Sequence, residues 1–203
     1  MQTIDLTNIP SILLTTWKRK DKMRFAQSEL KKIGINPQVL WCKEMADGGM
    51  GCREAHAKAI RARKMAPLLV IEDDIRLCPS YRTKITAPED ADAIYLGTSS
   101  WGEVDGWGYK DAVDATIVSL HLVRVWNMLS THMILHITDR WMDAVIAQIK
   151  TYSRPRQKQI DISNATLMPH FNVYAMRRPI VHQIGRPDTM GPVEDRISVN
   201  SYD

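Results

Sequence analysis

A chain of 203 residues with 44% hydrophobic and 25% charged residues is long enough to bury a sizeable core without needing disulfides, which excludes a disordered or low-complexity protein and favours one domain over 1–203. No apolar run approaches a membrane span, Asp5 interrupts the first stretch where a secretory signal needs apolar continuity, and Cys42, Cys52 and Cys78 are too scattered for a disulfide framework, so a reduced, cytoplasmic protein is expected. The net charge of +4 is mild, but positive charge is concentrated between Lys18 and Lys64, a bias that suits phosphate-bearing partners as well as ordinary solvated helix faces.

In chain order, Ser11 to Thr16 reads as a short strand after Pro10. A helix follows in which Ala26, Leu30 and Ile33 recur at +4 and +3, stopped by Gly34. Val39 to Trp41 suits a second strand, and Asp47 to Gly51 a flexible loop. From Cys52 a second helix presents Cys52, Ala55, Ala59 and Ala62 as a stripe of small residues for close packing on a sheet, until Pro67 intervenes. The strand Leu68 to Ile71 follows directly, so the first half alternates strand and helix, the signature of a parallel α/β sheet.

Ala91 to Leu96 is a further strand. It opens into a glycine-rich loop, Gly97 to Asp111, whose Trp101, Trp107 and Tyr109 suit stacking on sugars or bases, or plugging the edge of the core. Ile117 to Val125 and Met133 to Ile137 read as later strands, and Trp141, Val145 and Ile149 mark one helix face. The last fifty residues, punctuated by Pro155, Pro169, Pro179, Pro187 and Pro192, are expected to form a loop-rich wrapping tail.

The most informative segment is LLVIEDDIRL, Leu68 to Leu77, where a buried-strand pattern ends in Glu72, Asp73 and Asp74. Three adjacent acids repel one another, so either a divalent cation or solvent must compensate them. Two readings stand side by side: a metal-binding carboxylate cluster at a strand end, and a solvated strand-to-loop turn.

Gly51-Cys52-Arg53-Glu54-Ala55-His56, followed sixteen residues later by Glu72-Asp73-Asp74, resembles glycosyltransferase family 25, the lipopolysaccharide-biosynthesis type, whose members carry Gly-Cys-x-x-Ser-His upstream of an E-D-D motif. The resemblance extends to Leu14-Thr15-Thr16 with Arg19, Asp21 and Lys22, to Thr131 to Leu135, to Ile160-Asp161, and to Pro179 to Gln183. Ala55, Thr15 and Lys22 depart from the family's usual Ser, Asn and Arg, and the chain is short, as in a compact or viral relative.

The resemblance implies a GT-A fold: a Rossmann-like single α/β domain with a mainly parallel central sheet and a loop-rich C-terminal segment. Residues 1–100 would bind the nucleotide-sugar and 101–203 the acceptor. It implies an inverting sugar transfer from a nucleotide-sugar, a UDP-sugar in the first instance, with Mn2+ or Mg2+ gripping the diphosphate. In that scheme Asp74, Glu72 and a late histidine, His182 or equally His170, are metal ligands, with Asp73 a supporting neighbour. Thr15, Thr16, Arg19, His56, Glu72 and Asp73 contact the donor, and Asp161 is the base that deprotonates the acceptor, ahead of Asp139 and Asp143. The acceptor hydroxyl belongs to a glycan such as lipopolysaccharide or capsule, or alternatively to a modified base in DNA, which the basic half and the aromatic loop would also suit. A non-catalytic binding module of the same fold is the alternative from another class, and a metal-dependent nuclease or phosphotransferase ranks last.

Overall fold

The computed structural model describes residues 1–63, 65–79, 81–104, 108–110, 113–151, 159–185 and 197–198. After a short first strand, β1 (Gln2–Asp5), the apolar run behind Pro10 forms β2 (Ser11–Thr16). Helix α1 (Lys20–Lys32) buries Met23, Ala26 and Leu30 at +3 and +4. It ends at Gly34, φ +75°, where the amides of Ile33, Gly34 and Ile35 close back on the carbonyls of Leu30 and Lys31, a left-handed turn that suits a residue without Cβ. Strand β3 is Gln38–Cys42.

The segment expected as a flexible loop, Asp47 to Gly51, instead opens helix α2 (Gly48–Ala62). Asp47 Oδ1 accepts from the amides of Gly49 and Met50 at 3.0 and 3.2 Å, which satisfies first-turn donors and draws three glycines into the helix. The small residues Ala55 and Ala59 pack, as their spacing predicts, against β4 (Leu68–Glu72).

Beyond β4 the chain makes β5 (Ile75–Leu77), β6 (Lys84–Ala87), which pairs with β1, and β7 (Ala93–Tyr95). Within the expected glycine-rich loop, β8 (Gly102–Val104) and β9 (Gly108–Lys110) pair as antiparallel strands, and Trp101 is half-buried. Trp107 and the side chain of Tyr109 lie outside the described residues, as do Pro155, Pro187 and Pro192.

Ile117 to Val125 is a hairpin, not one strand: β10 (Val113–Ile117) and β11 (Leu122–Val125) are joined by a turn whose Ser119 hydroxyl accepts from the amides of His121 and Leu122. Next come β12 (Met133–His136), α3 (Asp139–Thr151) with Trp141, Val145 and Ile149 buried, and α4 (Ile160–Leu167). Then follow β13 (Val173–Met176), β14 (Val181–Gln183), which pairs with β5, and β15 (Ile197–Ser198).

One sheet, in the order β15-β10-β11-β13-β7-β12-β4-β2-β3, organises these elements. It is mixed, where a mainly parallel sheet was expected. Neighbours β2–β3, β2–β4, β7–β13 and β10–β15 run parallel, while β4–β12, β12–β7, β13–β11 and β11–β10 run antiparallel. The reversals arise where β11 returns through a tight turn and where β12 is inserted against the direction of both its neighbours. The expected wrapping tail likewise contributes a fully buried strand, β13, to the middle of the sheet.

Strand alternation divides the core. Ile12, Leu14, Leu68 and Val70 face the side holding Ala59 of α2, Val145 of α3 and Ile160 of α4, whereas Leu13, Leu69 and Ile71 face the side holding Met23, Ala26 and Leu30 of α1.

Just before β7, Asp92 is fully buried and accepts four hydrogen bonds: from Arg140 Nε and the Thr138 hydroxyl on Oδ1, and from Arg140 and the Asn172 amide on Oδ2. This knot ties the amino ends of β7, α3 and β13 together. Burial opposes the charged form there, but the arginine and the other donors hold the carboxyl below its ordinary range.

Candidate functional site

β4 delivers its three acids to the carboxyl ends of β2 and β4, at a cleft of about 380 Å³ lined by Thr15, Thr16, Arg19, Glu44, Gly51, Cys52, Glu72, Asp73, Asp74 and Gln183 among others. A groove of about 560 Å³ shares the wall of Cys42, Lys43, Met45, Gly51 and Ala55 and adds Lys58 and Arg61. The acids therefore stand next to a basic corridor, and the solvated-turn reading does not describe them: Asp73 is only 3% exposed.

The triplet divides. Asp73 and Asp74 turn to the β2 side. Thr15 donates its hydroxyl to Asp73 Oδ2 at 2.6 Å, and one terminal nitrogen of Arg19 reaches Asp73 Oδ1 at 2.6 Å and Asp74 Oδ2 at 2.9 Å. Burial, with the neighbouring charges of Asp74 and Glu72, still raises the Asp73 carboxyl above its usual range despite Thr15 and Arg19. Burial lowers the proton affinity of the Arg19 guanidinium, but Asp73 and Asp74 outweigh it and raise that affinity overall.

Gln183, on the strand paired with β5, donates to Asp74 Oδ2 at 3.3 Å, and the Ile184 amide donates to the Asp74 carbonyl at 2.7 Å. Asp74 Oδ1 is buried with no hydrogen-bond partner among the described residues. That orphaned oxygen fits one ligand of a hard divalent cation, the remaining positions of which are usually filled by phosphate oxygens and water. The donor set on this side is all oxygen, which suits Mg2+ or Mn2+.

Glu72 goes the other way. Its Oε1 accepts from Cys52 Sγ at 3.1 Å and lies 3.1 Å from His56 Nε2, while Oε2 lies 4.0 Å from His132 Nδ1. Burial penalises the Glu72 carboxylate, but hydrogen bonding and attraction from His56, attraction from His132 and the Thr131 hydroxyl hold it well below the usual range. Burial and the Glu72 charge together push the Cys52 thiol well up. His132 reaches this corner because β12 runs antiparallel to β4: the Glu72 amide donates to the His132 carbonyl at 2.9 Å, setting the start of one strand beside the end of the other.

Thr16 lies at the cleft rim and donates to Glu44 at 3.2 Å. Asp161 sits in the first turn of α4, accepts from the Ile162 amide at 2.9 Å, and is raised by burial first and by the Glu72 charge second. It belongs to the buried corner near Cys52 and Glu72 and is not among the residues lining the cleft. Its rivals have other work or other surroundings: Asp139 accepts from the Ala66 amide at 2.7 Å, and Asp143 is exposed on α3.

His182, expected as a metal ligand, is placed otherwise. It is buried, with Nδ1 3.7 Å from Cys78 Sγ, and no hydrogen bond or ion pair joins it to Glu72 or Asp74 among the described residues. Strand alternation explains this, because the neighbouring Gln183 is the residue of β14 that reaches Asp74. His170 is exposed at the end of a 3-10 turn.

Sequence reasoning did not assign Gln183, His132 or the Trp17–Trp41 pair to the site. The two indoles stack beside the ends of β2 and β3 with centroids 4.1 Å apart, and Lys20 lies 4.7 Å over Trp17, which is 61% exposed. The clue for His132 was its place in Thr131 to Leu135; Trp17 lay within a charged stretch and gave no signal.

No protein-family profile matches this chain, and no curated protein sequence matches it. Among solved structures it is similar to the nucleoside-diphosphate-sugar pyrophosphorylase from Vibrio cholerae, at 12% identity over 84% of this chain and 73% of that one, TM-score 0.46. It is also similar to a UDP-glucose pyrophosphorylase complexed with UDP-glucose, at 11% identity over 84% and 73%, TM-score 0.49, and to the inositol-1-phosphate CTP transferase from T. maritima, at 12% identity over 89% and 71%, TM-score 0.49. At such identities no residue role carries over from them.

Proposed function

We propose that the chain is a metal-dependent inverting glycosyltransferase that takes a sugar from a nucleotide-sugar, a UDP-sugar in the first instance, to a hydroxyl of a glycan. The observation that carries the reading is the Asp74 oxygen beside Arg19 that has no hydrogen-bond partner among the described residues, in a cleft that continues along Lys43, Lys58 and Arg61. A carboxylate with a free oxygen next to fixed cations is what a diphosphate held through a hard metal ion requires. The family 25 resemblance of Gly51 to His56 and Glu72 to Asp74 supports the same reading.

Asp74 would hold Mn2+ or Mg2+, with Asp73 supporting it, and the bound ion would neutralise charge on the diphosphate. Arg19 adds a fixed positive charge at the same place, and Thr15 keeps Asp73 oriented. Thr16 lines the cleft, and the Trp17–Trp41 stack that follows at the ends of β2 and β3 offers aromatic surface against which a nucleobase would lie. His56 positions Glu72, and Glu72 lines the cleft floor.

In the transfer, the acceptor oxygen forms a bond to the anomeric carbon as the carbon–oxygen bond to the diphosphate breaks on the opposite side. The leaving group keeps that bonding pair, and the acceptor proton would pass to Asp161, whose carboxyl burial raises above its ordinary range and which adjoins the cleft at the Cys52 and Glu72 corner. Residues 1–100 would carry the donor and 101–203 the acceptor side, an assignment that rests on the acids and cations of the cleft lying in the first half.

A screen of nucleotide-sugars for slow hydrolysis, with Mn2+ or Mg2+ and no acceptor, tests the reading. Metal-dependent release of UDP from one sugar is expected. Absence of both turnover and metal-dependent nucleoside diphosphate binding in calorimetry would leave a binding module as the better description.

A further inference from the structure

At the inner wall of the cleft, turned away from Asp74, three potential ligands converge, Cys52, His56 and Glu72, and His132 stands beside them. Cys52 and His56 are four residues apart on α2 and so project from one face, one turn from each other. Glu72 ends β4, and His132 precedes β12. Cys52 Sγ, His56 Nε2 and a Glu72 oxygen lie within 4.8 Å of one another, and the Glu72 contacts to Cys52 and His56 are both 3.1 Å.

His132 supplies the independent observation. It is 7% exposed, both ring nitrogens are buried without a hydrogen-bond partner among the described residues, and the contact of Nδ1 to Glu72 Oε2 is a long 4.0 Å. A buried imidazole with neither nitrogen satisfied is costly unless something else fills the space it faces.

We infer that Cys52, His56, Glu72 and His132 form a four-ligand site for a borderline-soft divalent transition ion, Zn2+ first among them, distinct from the hard-cation position at Asp74. The donor set is one sulfur, two imidazole nitrogens and one carboxylate oxygen, each a ligand type that zinc accepts. Ligands bonded to one tetrahedral zinc ion at about 2.0–2.3 Å stand roughly 3.3–3.8 Å apart; the Glu72 contacts to Cys52 and His56 are already near that spacing, and the His132 ring must move inward to join them.

Charge agrees. On binding, the Cys52 thiol releases its proton to solvent, and the thiolate with the Glu72 carboxylate balances the ion, leaving a neutral buried unit. The site would pin the start of α2 to the ends of β4 and β12, and so fix where the following Asp73 and Asp74 emerge. It does not depend on sugar transfer.

The test is metal content and cobalt spectroscopy on the purified chain. After exposure to Zn2+ and dialysis, one equivalent should remain on the wild-type protein and on Asp74→Ala, and should be lost from Cys52→Ala and from His132→Gln. Replacement by Co2+ should give a thiolate-to-cobalt charge-transfer band together with the intense visible bands of tetrahedral cobalt. A folded wild-type protein that retains no zinc, or that binds cobalt without a thiolate band, overturns the inference, and that spectrum decides the matter even where a variant fails to fold. Retention of zinc by Cys52→Ala also overturns it. Loss of the ion from Asp74→Ala alone would assign it to the hard-cation position instead.

Discussion

Two buried groups of acid sit at opposite ends of the sheet, and they differ in how completely they are satisfied. At the amino end of β7, Asp92 takes four hydrogen bonds from Arg140, Thr138 and Asn172 and keeps no spare capacity among its nearest donors. At the carboxyl end of β4, Asp74 shares Arg19 with Asp73 and, among the described residues, keeps one buried oxygen without a hydrogen bond, as do both ring nitrogens of His132 beside Glu72. Saturated polar groups tie elements together, whereas groups left unsatisfied at a cleft are held ready for a ligand. Carboxyl ends of parallel strands are also where the connecting loops leave room for one.

The contrast makes claims that experiment can break. The largest effect is expected from Asp161→Asn, which removes the proposed base. Transfer should fall by about 10²- to 10⁴-fold while calorimetric donor binding is unchanged, and normal turnover would require another base. Asp74→Asn should cost roughly 10²- to 10³-fold in turnover and remove the metal dependence of nucleotide binding, with the urea midpoint little changed. Equal loss of stability in that variant would make Asp74 a scaffold residue like Asp92.

Conversely, Asp92→Ala strands the Thr138 hydroxyl and the Asn172 amide, and should destabilise the fold by about 2–4 kcal/mol in urea unfolding without altering nucleotide affinity of the folded fraction.

The smallest effect is in the pH dependence of stability. The Glu72 carboxyl is depressed in the folded state, so its contribution is fully present above its ordinary value of 4.5 and is lost as pH falls towards its folded value. Asp73 and Asp161 are raised, so theirs is present below the ordinary 3.8 and lost as pH rises through their folded values. Glu72→Gln should therefore flatten the acid limb of a urea-midpoint profile measured below neutral pH, and an unchanged limb would show that another carboxylate dominates it.

Much of this was legible in local pattern. Leu68 to Ile71 announced a buried strand, the Ala55 and Ala59 spacing announced a helix packed closely on a sheet, and Gly34 marked a helix end, because each depends on neighbours within one or two turns. Asp47 to Gly51 misled because glycines usually signal a loop, and only a cap formed by the Asp47 side chain makes them helical. Val173 to Met176 was too short to stand out from a proline-punctuated tail, yet lies between β11 and β7. His182 was plausible by type and place, but the alternation of β14 turned Gln183 to Asp74 instead.

By itself the sequence determined that an apolar strand ends in three acids, that a helix with Cys52 and His56 on one face precedes it, and that basic residues crowd the same half. Only the tertiary structure decided that the acids part company, Asp73 and Asp74 towards Arg19 and Glu72 towards His56. It also decided that an antiparallel β12 brings His132, sixty residues downstream of Glu72, to that corner. The reason is that alternation along a strand is a property of the backbone, whereas which strand lies alongside, and in which direction, depends on long-range pairing that no local spacing records.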